Sequence, residues 1–141
     1  MKKSFLVALF ATFATFVQAQ ELKRGGYEVG ELTKQWTDQG YELVKGYDDV
    51  NDLDYYRLDT EHATSYFYLT HNNVVSSSYI WPLSDDALSA FIDLYNRDCE
   101  IIVVYQWKIK TADGITFINL LEDEGEYYFE FIYTLYEDQP D

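Results

Sequence analysis

Cysteine and proline are scarce in this chain, with one cysteine, Cys99, and two prolines among 141 residues. A single cysteine cannot form a disulfide within one copy of the chain, which excludes the disulfide-stapled scaffolds common among small secreted proteins. The surrounding sequence indicates that Cys99 is a small residue, half buried where a helix meets a strand, in preference to a nucleophile or a dimerising thiol.

The chain also lacks the motifs of several kinds of chemistry. Its two histidines and its cysteine do not have HExxH or CxxC spacing, and it contains no GxSxG elbow, phosphate-binding loop or dinucleotide fingerprint. The acidic segment from Gly46 to Asp54 offers oxygen ligands for calcium, but it lacks the spacing of an EF-hand loop. We therefore predict that the chain is not an enzyme and that it has no catalytic residue, metal site or cofactor.

Long apolar runs are missing, and the one short run lies near the N-terminus. Lys2 and Lys3 precede the uncharged stretch from Phe5 to Val17, and Ala19 occupies the position before the expected cleavage site. A positive start, a short apolar core and a small residue at this position are typical of a secretory signal peptide. The stretch is well under the ~20 residues that a membrane-spanning helix needs.

This segment determines the expected organisation of the chain. We predict a signal peptide at residues 1–19, a flexible leader at 20–26, one α+β domain at 27–136 and an acidic tail at 137–141. The mature chain is expected to be exported to a periplasm or to the extracellular space, and none of it is expected to insert into a membrane.

Basic residues are few, because 10 Lys and Arg stand against 25 Asp and Glu, a net charge of −15. Two of the basic residues lie in the expected signal peptide, so eight remain against 25 acidic residues, and the mature chain carries a net charge of −17. Such a charge repels phosphate backbones and anionic lipid head groups, which predicts no nucleic-acid partner. It attracts a cationic protein, the partner that we expect, and the composition gives no indication of the oligomeric state.

The clearest structural pattern lies between Trp81 and Trp107. Pro82 ends a strand, and Ser84 offers a hydroxyl to cap a helix whose first turn carries Asp85 and Asp86, against the positive end of the helix dipole. The spacing of the next apolar residues is that of one helix face. These residues are Leu88, Phe91, Ile92 and Tyr95.

Five strands are predicted around this helix, at residues 65–70, 74–81, 101–109, 115–121 and 127–136. The first two form a hairpin whose turn is His71-Asn72-Asn73, and the run from Ile101 to Tyr105 is apolar enough to be covered on both faces. A short helix is expected within residues 30–39, ending at Gly40. Residues 41–44 begin a strand or pack their apolar side chains under this helix, and residues 55–59 form a short strand or an extended connection. The sequence thus predicts an α+β fold with a single antiparallel sheet of about five strands. One or two helices pack on one face of this sheet, in the order α-β-β-α-β-β-β.

Aromatic residues are abundant, with 14 tyrosines and 3 tryptophans. This number exceeds what one small core usually holds, and tyrosine combines a large contact area with little loss of conformational entropy. The simpler interpretation is that tyrosine suits half-exposed strands, with its ring packed and its hydroxyl in water. If an aromatic binding surface exists, the less apolar strand faces predict that it contains Tyr66, Tyr68, Tyr79, Trp81, Tyr128 and Tyr136.

Three functional hypotheses follow, from three classes of protein. The first is an exported, non-catalytic binding module that engages a cationic secreted protein, for example as an inhibitor of a basic enzyme. The alternative is a protein that binds a small ligand or a carbohydrate through exposed Tyr and Trp side chains. An enzyme of an unfamiliar type is the least favoured, because no motif in the sequence supports it.

Overall fold

A computed structural model of the chain describes residues 29–70, 74–110 and 114–136. The predicted signal peptide, flexible leader and acidic tail, and the predicted turn at residues 71–73, lie outside the described residues. Two helices are described, α1 (Val29–Thr37) and α2 (Asp85–Asp98). The eight described strands are β1 (Leu43–Asp48), β2 (Leu53–Asp59), β3 (Ala63–Leu69), β4 (Val75–Pro82), β5 (Glu100–Val103), β6 (Gln106–Lys110), β7 (Gly114–Asp123) and β8 (Glu126–Leu135).

All eight strands form one antiparallel sheet in the order β1-β2-β3-β4-β8-β7-β6-β5. The described chain therefore consists of two successive units, each a helix followed by four strands: α1 with β1 to β4, and α2 with β5 to β8. The last strands of the two units pair at the centre of the sheet, with Ser78 opposite Phe131 and Ile80 opposite Phe129. The outer edges of the sheet are consequently the first strands of the units, β1 and β5.

The structure confirms the α+β class and the antiparallel sheet, but the prediction of about five strands in the order α-β-β-α-β-β-β is wrong. The order is α-β-β-β-β-α-β-β-β-β, and two hairpins account for the difference. The first is β1–β2, in the acidic segment around Gly46, where glycine and carboxylates lower the strand propensity. Its strands nevertheless pair along their whole length, and the Asp48 carboxylate accepts hydrogen bonds from the backbone N–H groups of Val50 and Asn51 (3.0 and 3.3 Å) in the turn.

The second hairpin is β5–β6, in the run predicted as a single strand. The chain turns at Val104 and Tyr105, where Tyr105 has a φ of 66° and its carbonyl accepts a hydrogen bond from the N–H of Leu120 in β7 (3.0 Å). Tight hairpin turns favour Asn, Asp and Gly, so this turn carries none of the usual sequence signals. The prediction that the run is covered on both faces is also wrong, because every residue of β5 is exposed.

Helix α2 begins where the sequence predicts, after Ser84, whose hydroxyl accepts a hydrogen bond from the backbone N–H of Ala87 (3.1 Å). Asp85 lies in its first turn, near the positive end of the helix dipole. At the other end, the N–H of Cys99 donates to the carbonyl of Tyr95 (2.9 Å). The side chain of Cys99 is half buried at the junction of α2 and β5, as predicted.

Both helices pack on the same face of the sheet, which we call the covered face. The larger buried cluster, between α2 and the sheet, contains Ala63, Ile80, Phe91, Leu94, Tyr95, Trp107, Ile118, Phe129 and Phe131. A second cluster, between α1 and the sheet, contains Leu32, Trp36, Leu58, Phe67, Leu69 and Val75. We call the opposite face the open face, because no helix among the described residues packs on it. None of the described helices has the length and apolar character that crossing a membrane requires.

Candidate binding surface

The open face carries aromatic side chains that the two buried clusters do not use. Successive side chains of a strand point to opposite faces, so Phe67 and Phe129 lie on the covered face whereas Tyr66 and Tyr128 lie on the open face. Six of these rings lie close together on four neighbouring strands. We call them the aromatic ribbon: Tyr55 on β2, Tyr66 and Tyr68 on β3, Tyr79 and Trp81 on β4, and Tyr128 on β8.

The rings of the aromatic ribbon form a continuous path across the sheet. The ring centroids are 5.7 Å apart for Tyr66–Tyr55, 5.5 Å for Tyr55–Tyr68, 5.6 Å for Tyr68–Tyr79 and 6.2 Å for Tyr79–Tyr128. Trp81 ends the path, stacked on Tyr128 with centroids 4.3 Å apart and ring planes at 17°. Because adjacent strands lie about 4.8 Å apart, the path extends about 14 Å across the four strands. All six rings are half buried, so each packs against its neighbours and still offers part of its surface.

Tyr55 owes its position in the ribbon to a glycine on the neighbouring strand. Gly46 on β1 lies opposite Tyr55, and a Cβ atom at Gly46 would clash with the Tyr55 ring. The ring therefore covers the bare backbone of Gly46, a known way of stabilising a glycine near the edge of a sheet. A side chain at position 46 would displace Tyr55 and break the contacts between the ribbon and β2.

Acidic side chains border the aromatic ribbon. Glu130 on β8 lies directly opposite Tyr79 on β4, and Asp48 on β1 lies close enough to Tyr68 for its charge to act on the phenol. Arg57 is the basic residue of this region, with its guanidinium carbon 5.9 Å from the centroid of the Tyr66 ring. Its charge is offset by Asp59, whose carboxylate oxygen lies 3.2 Å from Arg57 Nε. The ribbon therefore lies in a region of net negative charge.

These charges change the titration of the ribbon. Partial burial raises the pKa of Tyr79 because it disfavours the phenolate, and the charge of Glu130 raises it further. Burial raises the pKa of Tyr68 in the same way, with a further contribution from Asp48. The side-chain hydrogen bond from Asn51 Nδ2 (2.8 Å) is the main cause of the lowered pKa of Asp48. At neutral pH the two phenols are thus uncharged, and Asp48 is ionised.

The structure brings together five of the six residues that the sequence predicts for a binding surface: Tyr66, Tyr68, Tyr79, Trp81 and Tyr128. The sixth, Tyr136, is exposed but lies beyond the end of β8, outside the strand positions of the ribbon. Tyr55 belongs to the ribbon and is missing from the prediction. In the sequence, Tyr55 and Arg57 occupy alternate positions, and the apolar Leu58 belongs to the other set. This short pattern identifies a strand only when the pairing of β2 with β1 and β3 is known.

A groove of about 360 Å³ adjoins the aromatic ribbon at Trp81. It lies where the end of β4, the start of α2 and the turn between β7 and β8 meet. Leu83 and Tyr127 contribute apolar surface to it, and Asp85 and Glu126 contribute carboxylates. Its volume is at the lower end of the range found for small-molecule sites.

The remaining part of the open face, on β6 and β7, mixes polar and apolar side chains, with Lys108 directly opposite Phe117. Asn119 Nδ2 donates to Glu130 Oε1 (3.3 Å), and Lys108 Nζ lies 3.6 Å from Glu100 Oε2. Within residues 29–70, 74–110 and 114–136, no group of three or more His, Cys, Asp and Glu side chains is placed to share a metal ion. Comparison with known protein families, curated protein sequences and solved structures gives no match to this chain.

Proposed function

We propose that this chain is an exported, non-catalytic binding module whose open face binds a cationic protein. The observation that carries the proposal is the aromatic ribbon: six rings in continuous contact, half exposed, on the face of the sheet away from both described helices. A preformed row of rings on paired strands loses little conformational entropy on binding, because each ring is already held by its neighbours.

Charge supports a cationic partner. The face of an aromatic ring attracts an ammonium or guanidinium group, by about 0.5–1 kcal/mol at an exposed site and more when the pair is desolvated. Arg57 makes this contact with Tyr66 inside the chain, and we expect basic side chains of the partner to make it with other rings of the ribbon. The net charge of −17 in the mature chain adds a long-range attraction that accelerates association.

The N-terminal sequence supports export. A signal peptide at residues 1–19 would deliver the mature chain to a periplasm or to the extracellular space, where we place the partner. The same negative charge disfavours nucleic acid.

The proposal is tested by titration calorimetry with basic peptides in which arginine alternates with apolar residues. The protein is purified after expression of the full chain. We expect the double variant Tyr79→Ala, Tyr128→Ala to weaken binding at least tenfold, because it interrupts the ribbon at its centre. Added salt is expected to weaken binding to the unaltered protein, because it screens the attraction between opposite charges.

Tyr47→Ala is the matched control, since Tyr47 is 58% exposed on β1 but occupies a position that alternates with the open-face residue Gly46. Circular dichroism shows whether each variant keeps its fold. Glu130→Gln is a milder variant than the double alanine variant, because it removes one negative charge beside the ribbon and leaves the rings in place. Equal losses in the ribbon variant and the control, or no binding by the folded protein, would contradict the proposal.

A second candidate function is the binding of a small ligand or a carbohydrate, which the groove beside Trp81 favours. Its volume, its apolar lining and its two carboxylates match those of a site for a small polar molecule. A panel of sugars and small cationic metabolites in a thermal-shift assay tests it, because a ligand that binds only the folded state raises the unfolding midpoint. A midpoint that no compound raises at millimolar concentration rejects this function and leaves the binding of a cationic protein intact.

A further inference from the structure

β5, at one outer edge of the sheet, is followed by an exposed apolar turn. The exposed fractions are 46–76% for the five residues Ile101, Ile102, Val103, Val104 and Tyr105. Because β5 is the last strand in the sheet order, no described strand pairs with its outer edge. An exposed apolar edge strand is a template for pairing with another strand, and natural sheets usually protect such edges.

The other outer edge, β1, has the usual protection. Lys45 and Asp48 place charges on this strand, Gly46 interrupts its side chains, and Lys45 Nζ lies 3.9 Å from the Asp54 carboxylate on β2. Charged residues and irregular positions of this kind prevent unwanted pairing between edges. β5 is shorter, begins with the charged Glu100 and has a register shift between Ile101 and Val103. From Ile101 to Tyr105, however, the strand and its turn carry neither a charge nor a glycine, so the exposed apolar surface is concentrated at this edge.

The charges around β5 are paired within the chain. Arg97 Nε lies 3.0 Å from Asp98 Oδ1, and Lys108 Nζ lies 3.6 Å from Glu100 Oε2. Each ion pair cancels its own charge, so the edge is close to neutral in a chain whose overall charge is strongly negative. A cationic partner gains nothing from a neutral edge. Two copies of an acidic chain, however, meet with the least repulsion where the local charge is smallest.

We propose that β5 pairs with β5 of a second copy of this chain, forming a homodimer. A strand can pair antiparallel with its own copy about a two-fold axis perpendicular to the sheet, and this arrangement buries the same patch on both copies. The pairing closes after two copies. Joining β5 to β1 would instead build an open filament, and the charges of β1 oppose it.

This geometry has a consequence for the open face. A two-fold axis perpendicular to the sheet keeps corresponding faces on the same side, so both aromatic ribbons face in one direction. The interface is small, because one short strand and its turn bury less than the ~1,200–2,000 Å² of a typical stable interface. We therefore expect a dimer that dissociates on dilution.

Sedimentation equilibrium of the protein, purified after expression of the full chain, tests this proposal. We expect the mass to rise from one chain to two as the concentration increases from about 1 μM to about 1 mM, the range expected for a small interface. Val103→Lys places a charge on the β5 edge and should weaken the dimer at least tenfold. Val44→Lys is the matched control, because Val44 lies on β1 and both valines are 55% exposed; it should leave the dimer unchanged.

Salt separates this proposal from the proposed function. Added salt screens the repulsion between two acidic copies and should strengthen the dimer, whereas it should weaken the binding of a cationic peptide. Ile102→Thr, which keeps a β-branched side chain, provides a second variant if Val103→Lys disturbs the fold, and it too should weaken the dimer. A protein that stays monomeric at 1 mM, or a Val44→Lys variant as monomeric as Val103→Lys, would overturn the proposal without affecting the peptide-binding result.

Discussion

The two faces of the sheet both carry aromatic rings in mutual contact, yet only one of them is a core. On the covered face, the ring centroids of Trp107 and Phe129 lie 6.2 Å apart, Tyr95 of α2 packs against both, and all three side chains are fully buried. On the open face, Tyr68 and Tyr79 lie 5.6 Å apart, a similar distance, but remain half exposed. Contact between rings is therefore common to both faces, and the presence of a helix above the rings is what differs.

Aromatic content alone therefore does not assign a function to a strand. The helix that covers one face also provides a hydrogen-bond partner for one of its buried rings: Trp107 Nε1 donates to Asn96 Oδ1 of α2 (2.8 Å). On the open face the phenols of Tyr68 and Tyr79 are near Asp48 and Glu130, and both residues are only half buried. A core ring contributes mainly to stability, and a ribbon ring is expected to contribute mainly to binding.

The largest expected effect on the free energy of unfolding comes from replacing an aromatic residue with alanine, and it should differ between the two faces. Trp107→Ala should lower the free energy of unfolding by about 3–5 kcal/mol, because it leaves a cavity in the core and removes the partner of Asn96. Tyr128→Ala should lower it by only about 1 kcal/mol, the scale of an exposed aromatic pair. Urea unfolding followed by circular dichroism measures both values, and equal losses would show that the open face is a second core.

A smaller effect is expected from alkaline pH, which acts on the open face through its phenols. Tyr68 and Tyr79 have a raised pKa in the folded state, so the folded chain holds their protons at a pH where the unfolded chain releases them. Their contribution to stability is fully present below the ordinary tyrosine pKa of about 10 and is lost as the pH rises through the folded values. The urea midpoint should therefore fall above about pH 10.

The double variant Tyr68→Phe, Tyr79→Phe should make this fall shallower, because phenylalanine keeps the rings and removes the titrating hydroxyls. The measurement is the urea midpoint at a series of pH values from 8 to 11, for the variant and the unaltered protein. Identical slopes would mean that these two phenols do not contribute to the loss of stability.

The smallest effect concerns a polar atom on the covered face. Thr116 is fully buried on β7, and its hydroxyl has no hydrogen-bond partner among the described residues. Thr116→Val keeps the shape of the side chain and removes the unpaired hydroxyl, so it should raise the free energy of unfolding by about 1 kcal/mol. Thr134→Val on β8, where the threonine is only half buried, is the control and should change it less. A destabilised Thr116→Val variant would indicate that the hydroxyl is solvated.

Local patterns in the sequence were sufficient for the elements that carry their own signals. Ser84 followed by Asp85 and a helical apolar spacing locates the start of α2, and the alternation along β8 separates Phe129 from Tyr128. The same alternation predicts most of the aromatic ribbon, because the polar strand faces contain its tyrosines. These signals lie within a few residues of the structure that they specify.

The missed elements depend on partners that are distant in the chain. Tyr55 belongs to the ribbon because β2 pairs with β1 on one side and with β3 on the other, and because Gly46 leaves space for its ring. Strand propensity depends strongly on such neighbours, and the acidic segment around Gly46 has little propensity of its own. The turn at Val104 and Tyr105 also lacks a local signal, since the hydrogen bond to the Tyr105 carbonyl comes from β7.

The sequence by itself determined the α+β class, the antiparallel sheet, the capped helix α2 and the alternation that separates aromatic from apolar positions. Only the tertiary structure decided the number of strands, the exposure of Ile101 to Val104 and which face of the sheet stays open. The physical reason is that periodicity places a side chain on one face of its strand, whereas burial requires a second element on that face. That element is supplied by packing between distant parts of the chain.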